Sequence, residues 1–431
     1  MSSAPVSALS VRPASPALLP VGRGRGLTFT ATYSRGNYMD FSWWKAREVA
    51  IGLFAGALII FASWALRDPV HLSKVVGFDV TRIPLPALKA VLAVGVIALF
   101  RTAIWRPLVA HQILDKAFYP VRGYGTRTPF MRDGADVLPP DGQWRFAGEG
   151  LKIQTYDGRE VFGTLLRGQE GQPHTGETVI FSLGNVAVYD REDPDLFRKT
   201  WLAQGYNVIC YHPPGYGTTA GPRTPETDFL ALEAVVQYAA SLNGEESVSI
   251  FGQSLGSGAA VEIAQRYELK RLALLVPFGR LETVVQRLIT SISPGLGYVA
   301  RFFTGDIISD YHGYNNAAKI AHCKAKQITI DEGDGDLLMS SALAPTEGRT
   351  LFDSAQTRLT GLATLEISSS YEHERSVETN SGGRRWEKVL QQYESQTFTG
   401  TNAQGEAITI KIRTHRGANH DGISLHLAWQ D

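Results

Sequence analysis

The pentapeptide Gly252-Gln253-Ser254-Leu255-Gly256 sets a serine between two glycines, directly after the strand-like run Val248-Ser249-Ile250-Phe251 and ahead of a helical pattern over 255–267. In that context the spacing predicts a nucleophile elbow: the glycines permit a tight strand-to-helix turn that lifts the serine hydroxyl clear of a sheet. The N-terminus of the helix beneath it favours developing negative charge. Gly258 leaves room for that helix to pack closely. A serine hydroxyl is a weak nucleophile until an imidazole takes its proton, and the imidazole keeps the needed tautomer when a carboxylate accepts its other N–H. On an elbow of this kind the acid and then the histidine follow the serine in the chain. The acids available are Asp331, Glu332, Asp334 and Asp336, four in six residues, a density that also reads as a solvated loop or a cation site. The histidines near the chain end are His415, His420 and His426. Of these, His415 lies within or beside a strand pattern and His426 falls on an expected terminal helix.

These groups must be positioned by regular elements. From about residue 148 onward, short β-branched or apolar runs alternate with amphipathic helical patterns, which predicts a mostly parallel sheet with helices on both faces. Strands are expected at 150–156, 161–167, 178–183, 207–211, 247–251, 272–276, 327–331 and 408–414, and helices near 195–204, 227–242, 255–267, 281–291 and 339–357. Turn signals at Asp157-Gly158, Gly205-Tyr206 and Asn243-Gly244 fall at the joints. Residues 358–405 stand apart as a polar insertion carrying Ser368-Ser369-Ser370, Glu372-His373-Glu374-Arg375 and Gly382-Gly383-Arg384-Arg385. The expectation there is a long loop serving as a lid, a substrate-selecting arm or a partner surface, or else disorder.

With the elbow in place, the stretch after residue 148 resembles the membrane-anchored α/β-hydrolase-domain serine hydrolases, a family that includes monoacylglycerol and lysophospholipid lipases and protein depalmitoylases. The family's His-Gly-Asn after its third strand is matched by Leu183-Gly184-Asn185, and its glycine-rich loop by Pro213-Pro214-Gly215-Tyr216-Gly217-Thr218-Thr219-Ala220-Gly221. Its Ser-Pro-Phe is matched by Val276-Pro277-Phe278. Gly333-Asp334-Gly335-Asp336-Leu337-Leu338-Met339 is similar to the family's Gly-x-x-Asp-x-x-Val, and Gly417-Ala418-Asn419-His420 to its Gly-x-x-His. The resemblance implies an α/β-hydrolase fold with Ser254, Asp336 and His420 as the catalytic triad and Asp334 as the alternative acid. It implies an oxyanion hole made by the backbone N–H groups of Leu255 and of Asn185 or its neighbour Val186. Two departures stand out. Leu183 replaces the family's histidine, which leaves backbone donation intact but leaves open what holds that loop, and His212-Pro213-Pro214 stands where an arginine is common. There His212 is either a substrate contact or, on the blander reading, a turn residue.

The front of the chain is different. Residues 1–47 are rich in Ser, Pro, Ala, Gly and Arg, with six basic residues and one acidic, and read as a disordered leader. Residues 49–66 run 18 positions without a charge, flanked by Trp43, Trp44, Lys45 and Arg47 and by Arg67, which predicts a transmembrane helix. A second apolar segment, 83–100, is interrupted by Pro84, Pro86 and Lys89; a second span is expected there, with a surface or buried helix as the alternative. Two spans at 48–107 form a helical hairpin, and 108–147 a linker. The connection at 67–82 holds three basic residues against two acidic, and 101–132 holds six against one, so the positive-inside rule places the domain at 148–431 in the cytoplasm. An organelle membrane, or a secreted effector whose leader is an export signal, is the alternative location. With 42 basic and 42 acidic residues the chain lacks the basic surface that nucleic acid requires. Two cysteines exclude a disulfide scaffold, and no ligand cluster at metal spacing is present, so neither metal nor organic cofactor is expected. The expected partners are a small-molecule acyl ester or acylated substrate and membrane lipid. The expected function is hydrolysis of a carboxylic ester or thioester, with a serine peptidase of the same fold and a non-catalytic membrane adaptor as alternatives.

Overall fold

The computed structural model describes residues 148–184, 200–216, 219–221, 223–292, 314–334, 347–359, 364–380, 386–401 and 406–416, together with 27–30 and residues 84, 86, 87, 95, 418 and 429. Among them the strands are β1 (Leu27–Thr30), β2 (Glu149–Gln154), β3 (Glu160–Leu166), β4 (Thr178–Ser182), β5 (Asn207–Tyr211), β6 (Val248–Gln253), β7 (Arg271–Leu275), β8 (Gln327–Gly333), β9 (Thr364–Asn380), β10 (Trp386–Thr401) and β11 (Ala407–His415). They form one sheet in the order β1-β2-β3-β5-β4-β6-β7-β8-β11-β10-β9. The block β5-β4-β6-β7-β8-β11 is parallel throughout. Parallel strands are covered by helices on both faces and so carry unbroken apolar runs. Every residue of Thr178–Ser182, Asn207–Tyr211 and Arg271–Leu275 is buried.

The helices are α1 (Pro225–Asn243), α2 (Gly256–Ala264), α3 (Leu281–Ile292), α4 (Asn316–Ile320) and α5 (Glu347–Ala355). Thr224 caps α1 reciprocally with Thr227, and Pro225 opens it at a position where a missing N–H costs nothing. One face of the sheet, through Ile180, Ile209, Ile250, Leu272, Ile328, Ile330, Ile410 and Ile412, joins a core with residues of α1, α2 and α5. The other face, through Val179, Phe181, Val208, Phe251 and Leu275, packs with Trp201, Tyr206 and Trp429. Trp201 meets Phe181 edge-on at 4.9 Å between ring centroids, and Trp429 meets Tyr206 at 5.6 Å, both within the favoured range for aromatic pairs. Arg271 holds Trp429 to the sheet by donating to its carbonyl at 3.0 Å and stacking over its ring.

Two expectations are corrected. The insertion at 358–405 is not a structureless loop. It contributes β9 and β10, an antiparallel hairpin that extends the sheet beyond β11 and satisfies its backbone groups in the ladder. Its base is anchored, since Phe398 is buried against Phe352 of α5 and Arg349 donates to Gln396 at 2.7 Å. Within the leader, Leu27–Thr30 is ordered as β1, in parallel register with Leu151–Gln154 of β2, because the outer edge of β2 offers unpaired donors and acceptors. The apolar run at 49–66 lies outside the described residues, as does all of 83–100 except 84, 86, 87 and 95. Among the described residues no helix is long and apolar enough to cross a membrane.

Candidate active site

β6 ends at Gln253 and α2 begins at Gly256, so the turn between strand and helix is carried by Ser254 and Leu255. Ser254 has φ +47°, in the left-handed region that a residue with a Cβ adopts only under constraint. Its neighbours supply that constraint. The Ser254 N–H donates to the Leu275 carbonyl at 3.0 Å, and the Ser254 carbonyl accepts from the Ser257 N–H at 3.0 Å and the Ser257 hydroxyl at 2.6 Å. The flanking glycines are steric requirements: a Cβ at Gly256 would lie 2.0 Å from the Ser182 carbonyl oxygen, and one at Gly252 would lie 2.8 Å from the Ala260 Cβ. The chain leaving β4 comes to the same place, for a Cβ at Gly184 would lie 3.1 Å from the Ser254 Cβ and 3.7 Å from its Oγ. Leu255, whose N–H is one expected oxyanion donor, is buried beside the serine. Asn185 and Val186, the candidates for the second donor, lie outside the described residues.

The four clustered acids divide by environment. Asp331, wholly buried on β8, accepts from Arg413 Nη2 at 2.9 Å, is ion-paired with Arg413 Nε at 2.8 Å and lies 2.8 Å from His415 Nε2. Burial would raise its pKa, but the Arg413 charge and the His415 contact draw it below the usual carboxylate range. Glu332 is also buried: it accepts from the Thr414 hydroxyl at 3.0 Å and from the Arg349 N–H at 3.0 Å, in the first turn of α5. Both carboxylates are therefore committed to structure. Asp334 is exposed at the strand end, with its N–H donated to the His415 carbonyl at 3.1 Å. Asp336 lies outside the described residues.

His415 is the last residue of β11, 1% exposed, and three strands away from Ser254 across β7 and β8, roughly 14 Å at the usual strand spacing. Its Nδ1 is buried with no hydrogen-bond partner among the described residues. It is a core histidine paired with Asp331, as its strand position suggests. His420 and His426 lie outside the described residues; of the residues near them, Ala418 comes close to the end of β8, since a Cβ at Gly333 would lie 2.1 Å from the Ala418 carbonyl oxygen. Gly333 at the end of β8 and Ala418, two residues before His420, are thus in close approach. His212 is 2% exposed and donates its backbone N–H to Phe162, the setting of a turn residue. A second strained residue went unnoticed in the sequence. Val276, at the end of β7, has φ +43° and donates its N–H to the Asp331 carbonyl at 2.7 Å. Left-handed backbone is rarer still for a β-branched residue than for serine, and it stands one strand over from the elbow.

A family model described as the alpha/beta hydrolase fold matches residues 182–293, from the end of β4 through the elbow into α3. Over that stretch the chain matches the α/β-hydrolase fold. Among curated proteins, the chain is similar to the phosphatidylserine lipases ABHD16A of Macaca fascicularis and Homo sapiens, at 28% and 27% identity over 167 residues. That stretch is 37% of this chain and spans 28% of the length of those relatives. Among solved structures, an esterase of Pyrococcus furiosus is 16% identical with a TM-score of 0.39, covering 53% of this chain and 83% of its own.

Two outcomes follow from this local geometry. Ser254→Gly removes the Cβ from a left-handed position, so it should be about 1 kcal/mol more stable than Ser254→Ala in urea denaturation. Asp331→Asn leaves Arg413 without its counter-charge and should cost about 3–5 kcal/mol at neutral pH. Because the folded pKa of Asp331 is depressed, its contribution is complete above the unfolded value of about 4 and is lost as pH falls further. Stability curves of wild type and Asp331→Asn should therefore run parallel above about pH 5 and converge below about pH 4.

Proposed function

We propose that this chain is a membrane-associated serine hydrolase that cleaves carboxylic esters or thioesters of lipid-derived acyl groups. The strained backbone of Ser254 carries this reading. A serine held left-handed between crowding glycines at a strand-to-helix turn is positioned for nucleophilic attack. The lipid-directed part draws on the relatives named as phosphatidylserine lipases and on the uncharged run at 49–66, which would hold the site at a bilayer.

In the proposed mechanism His420 takes the Ser254 proton as Oγ attacks the acyl carbonyl, and Asp336, with Asp334 as the alternative, accepts the other imidazole N–H. The N–H groups of Leu255 and Asn185 stabilise the oxyanion. Collapse of the tetrahedral intermediate breaks the bond to the alcohol or thiol, which departs with the proton from His420. Water then attacks the acyl-enzyme, giving its proton to His420, and the free acid leaves as Ser254 recovers its hydrogen. Neither metal nor organic cofactor enters these steps.

The full chain in detergent, offered a lysophospholipid, a monoacylglycerol, a palmitoyl thioester and an acylated peptide amide, should turn over an ester or thioester in preference to the amide. Both Ser254→Ala and His420→Ala should lower kcat at least about 10³-fold, with His426→Ala near wild type, and Asp336→Asn should cost more than Asp334→Asn. Folded protein inert toward all four substrates, or undiminished turnover in His420→Ala, would overturn the reading.

A further inference from the structure

Ser257, the second residue of α2, is wholly buried and reaches back to the nucleophile twice. Its N–H and its hydroxyl both donate to the Ser254 carbonyl, at 3.0 and 2.6 Å. Serine hydroxyls on helices often bond a carbonyl three or four residues back. Here a residue from a distant part of the chain gives that bond a direction. Asn316, wholly buried at the start of α4, donates its Nδ2 to the Phe278 carbonyl at 2.9 Å, and the same nitrogen lies 3.5 Å from Ser257 Oγ. A hydroxyl has one hydrogen, and that of Ser257 is engaged with Ser254, so its oxygen is the acceptor toward Asn316.

The next peptide is held from the sheet. Ser182, at the end of β4, donates its hydroxyl to the Gly256 carbonyl at 3.0 Å. By the same count of hydrogens, the Tyr211 phenol is the donor in its 3.3 Å contact with Ser182 Oγ. Burial raises the pKa of Tyr211 above its ordinary value, so the phenol keeps its proton. The Gly256 carbonyl and the Ser257 N–H are opposite ends of one planar unit, and so are the Ser254 carbonyl and the Leu255 N–H. Ser182 therefore steadies the plane whose N–H grips Ser254. Drawing the Ser254 carbonyl toward Ser257 turns the Leu255 N–H the other way, off the N-terminal end of α2. A hydrogen bond accepted by an amide oxygen also strengthens the donor at its nitrogen.

We propose that Ser257, its hydroxyl oriented by Asn316, is the positioning residue of the elbow: through one peptide it fixes the Ser254 backbone and aims the Leu255 N–H at the oxyanion. The role rests on the serine-hydrolase reading above, and it gives a task to a buried hydroxyl that takes no part in the proton transfers.

The test compares the full-length wild type in detergent with Ser257→Ala, which keeps the N–H but lacks the hydroxyl, and with Asn316→Ala, which leaves that hydroxyl unguided. Thr178→Val is the control: it removes a buried hydroxyl, without a hydrogen-bond partner among the described residues, at the other end of β4. Active serine is titrated in each with a fluorophosphonate, and turnover of a monoacylglycerol and a palmitoyl thioester is followed. Per titrated serine, kcat should fall about 10-fold in Ser257→Ala and about threefold in Asn316→Ala, with KM within about threefold. Affinity for octylboronic acid, whose adduct on the serine mimics the tetrahedral oxyanion, should fall in the same proportion as kcat, and Thr178→Val should match wild type. Unchanged kcat and boronate affinity in Ser257→Ala, or in Asn316→Ala should Ser257→Ala not fold, would overturn the proposal, since a merely structural hydroxyl would lower only the thermal midpoint. If wild type itself neither labels nor turns over, the serine-hydrolase reading fails and this role with it; an active wild type with unaffected variants sinks the Ser257 assignment alone.

Discussion

A serine side chain at φ +47° costs on the order of 1–3 kcal/mol, and the chain around Ser254 is arranged so that it has no cheaper conformation. Its N–H is taken by Leu275 from the neighbouring strand, and its carbonyl by Ser257 from the first turn of the following helix. For strand and helix to close so tightly, positions 252 and 256 must lack side chains, since a Cβ at either would run into Ala260 or the Ser182 carbonyl. The demand spreads outward. β6 can serve as the anvil for this turn only because β4 and β7 flank it in parallel register and both faces are packed with branched and aromatic side chains.

The elbow would have no chemistry without partners arriving from elsewhere, and the sheet also determines where they start. β8 and β11 run side by side in register to Gly333 and His415, tied across by Asp331, Arg413 and His415 beneath the point where the two loops begin. Gly333 then lets the chain at Ala418 come against it. β8 and β11, after which the proposed acid and base follow in the chain, stand two and three strands from the serine. Burying an aspartate, an arginine and a histidine together is expensive unless each is paired, which is why removing one partner should be felt across the whole strand pair.

Much of the central sheet was legible from residue types alone. Runs such as Thr178–Ser182 and Asn207–Tyr211 are buried on both faces, so burial writes itself as uninterrupted hydrophobicity. The elbow was legible because its glycines answer a local steric need. β9 and β10 were not, since their Ser, Glu, Gln and Arg content resembles a loop, and their strand character comes from pairing with each other and with β11. The acid cluster could not be resolved for a similar reason. What withdraws Asp331 is an arginine 82 residues later, and what withdraws Glu332 is a helix 17 residues later together with Thr414; neither neighbour is visible in the spacing. The left-handed Val276 had no signal at all, because valine is the residue type least expected there.

The central claim is that the strain at Ser254 serves an activated nucleophile. The most direct measurement is the intact mass of detergent-solubilised protein after exposure to a fluorophosphonate, with Ser254→Ala alongside. The account predicts one covalent adduct on wild type and none on the variant. Folded wild type that stays unmodified, or an adduct that persists in Ser254→Ala, would contradict it.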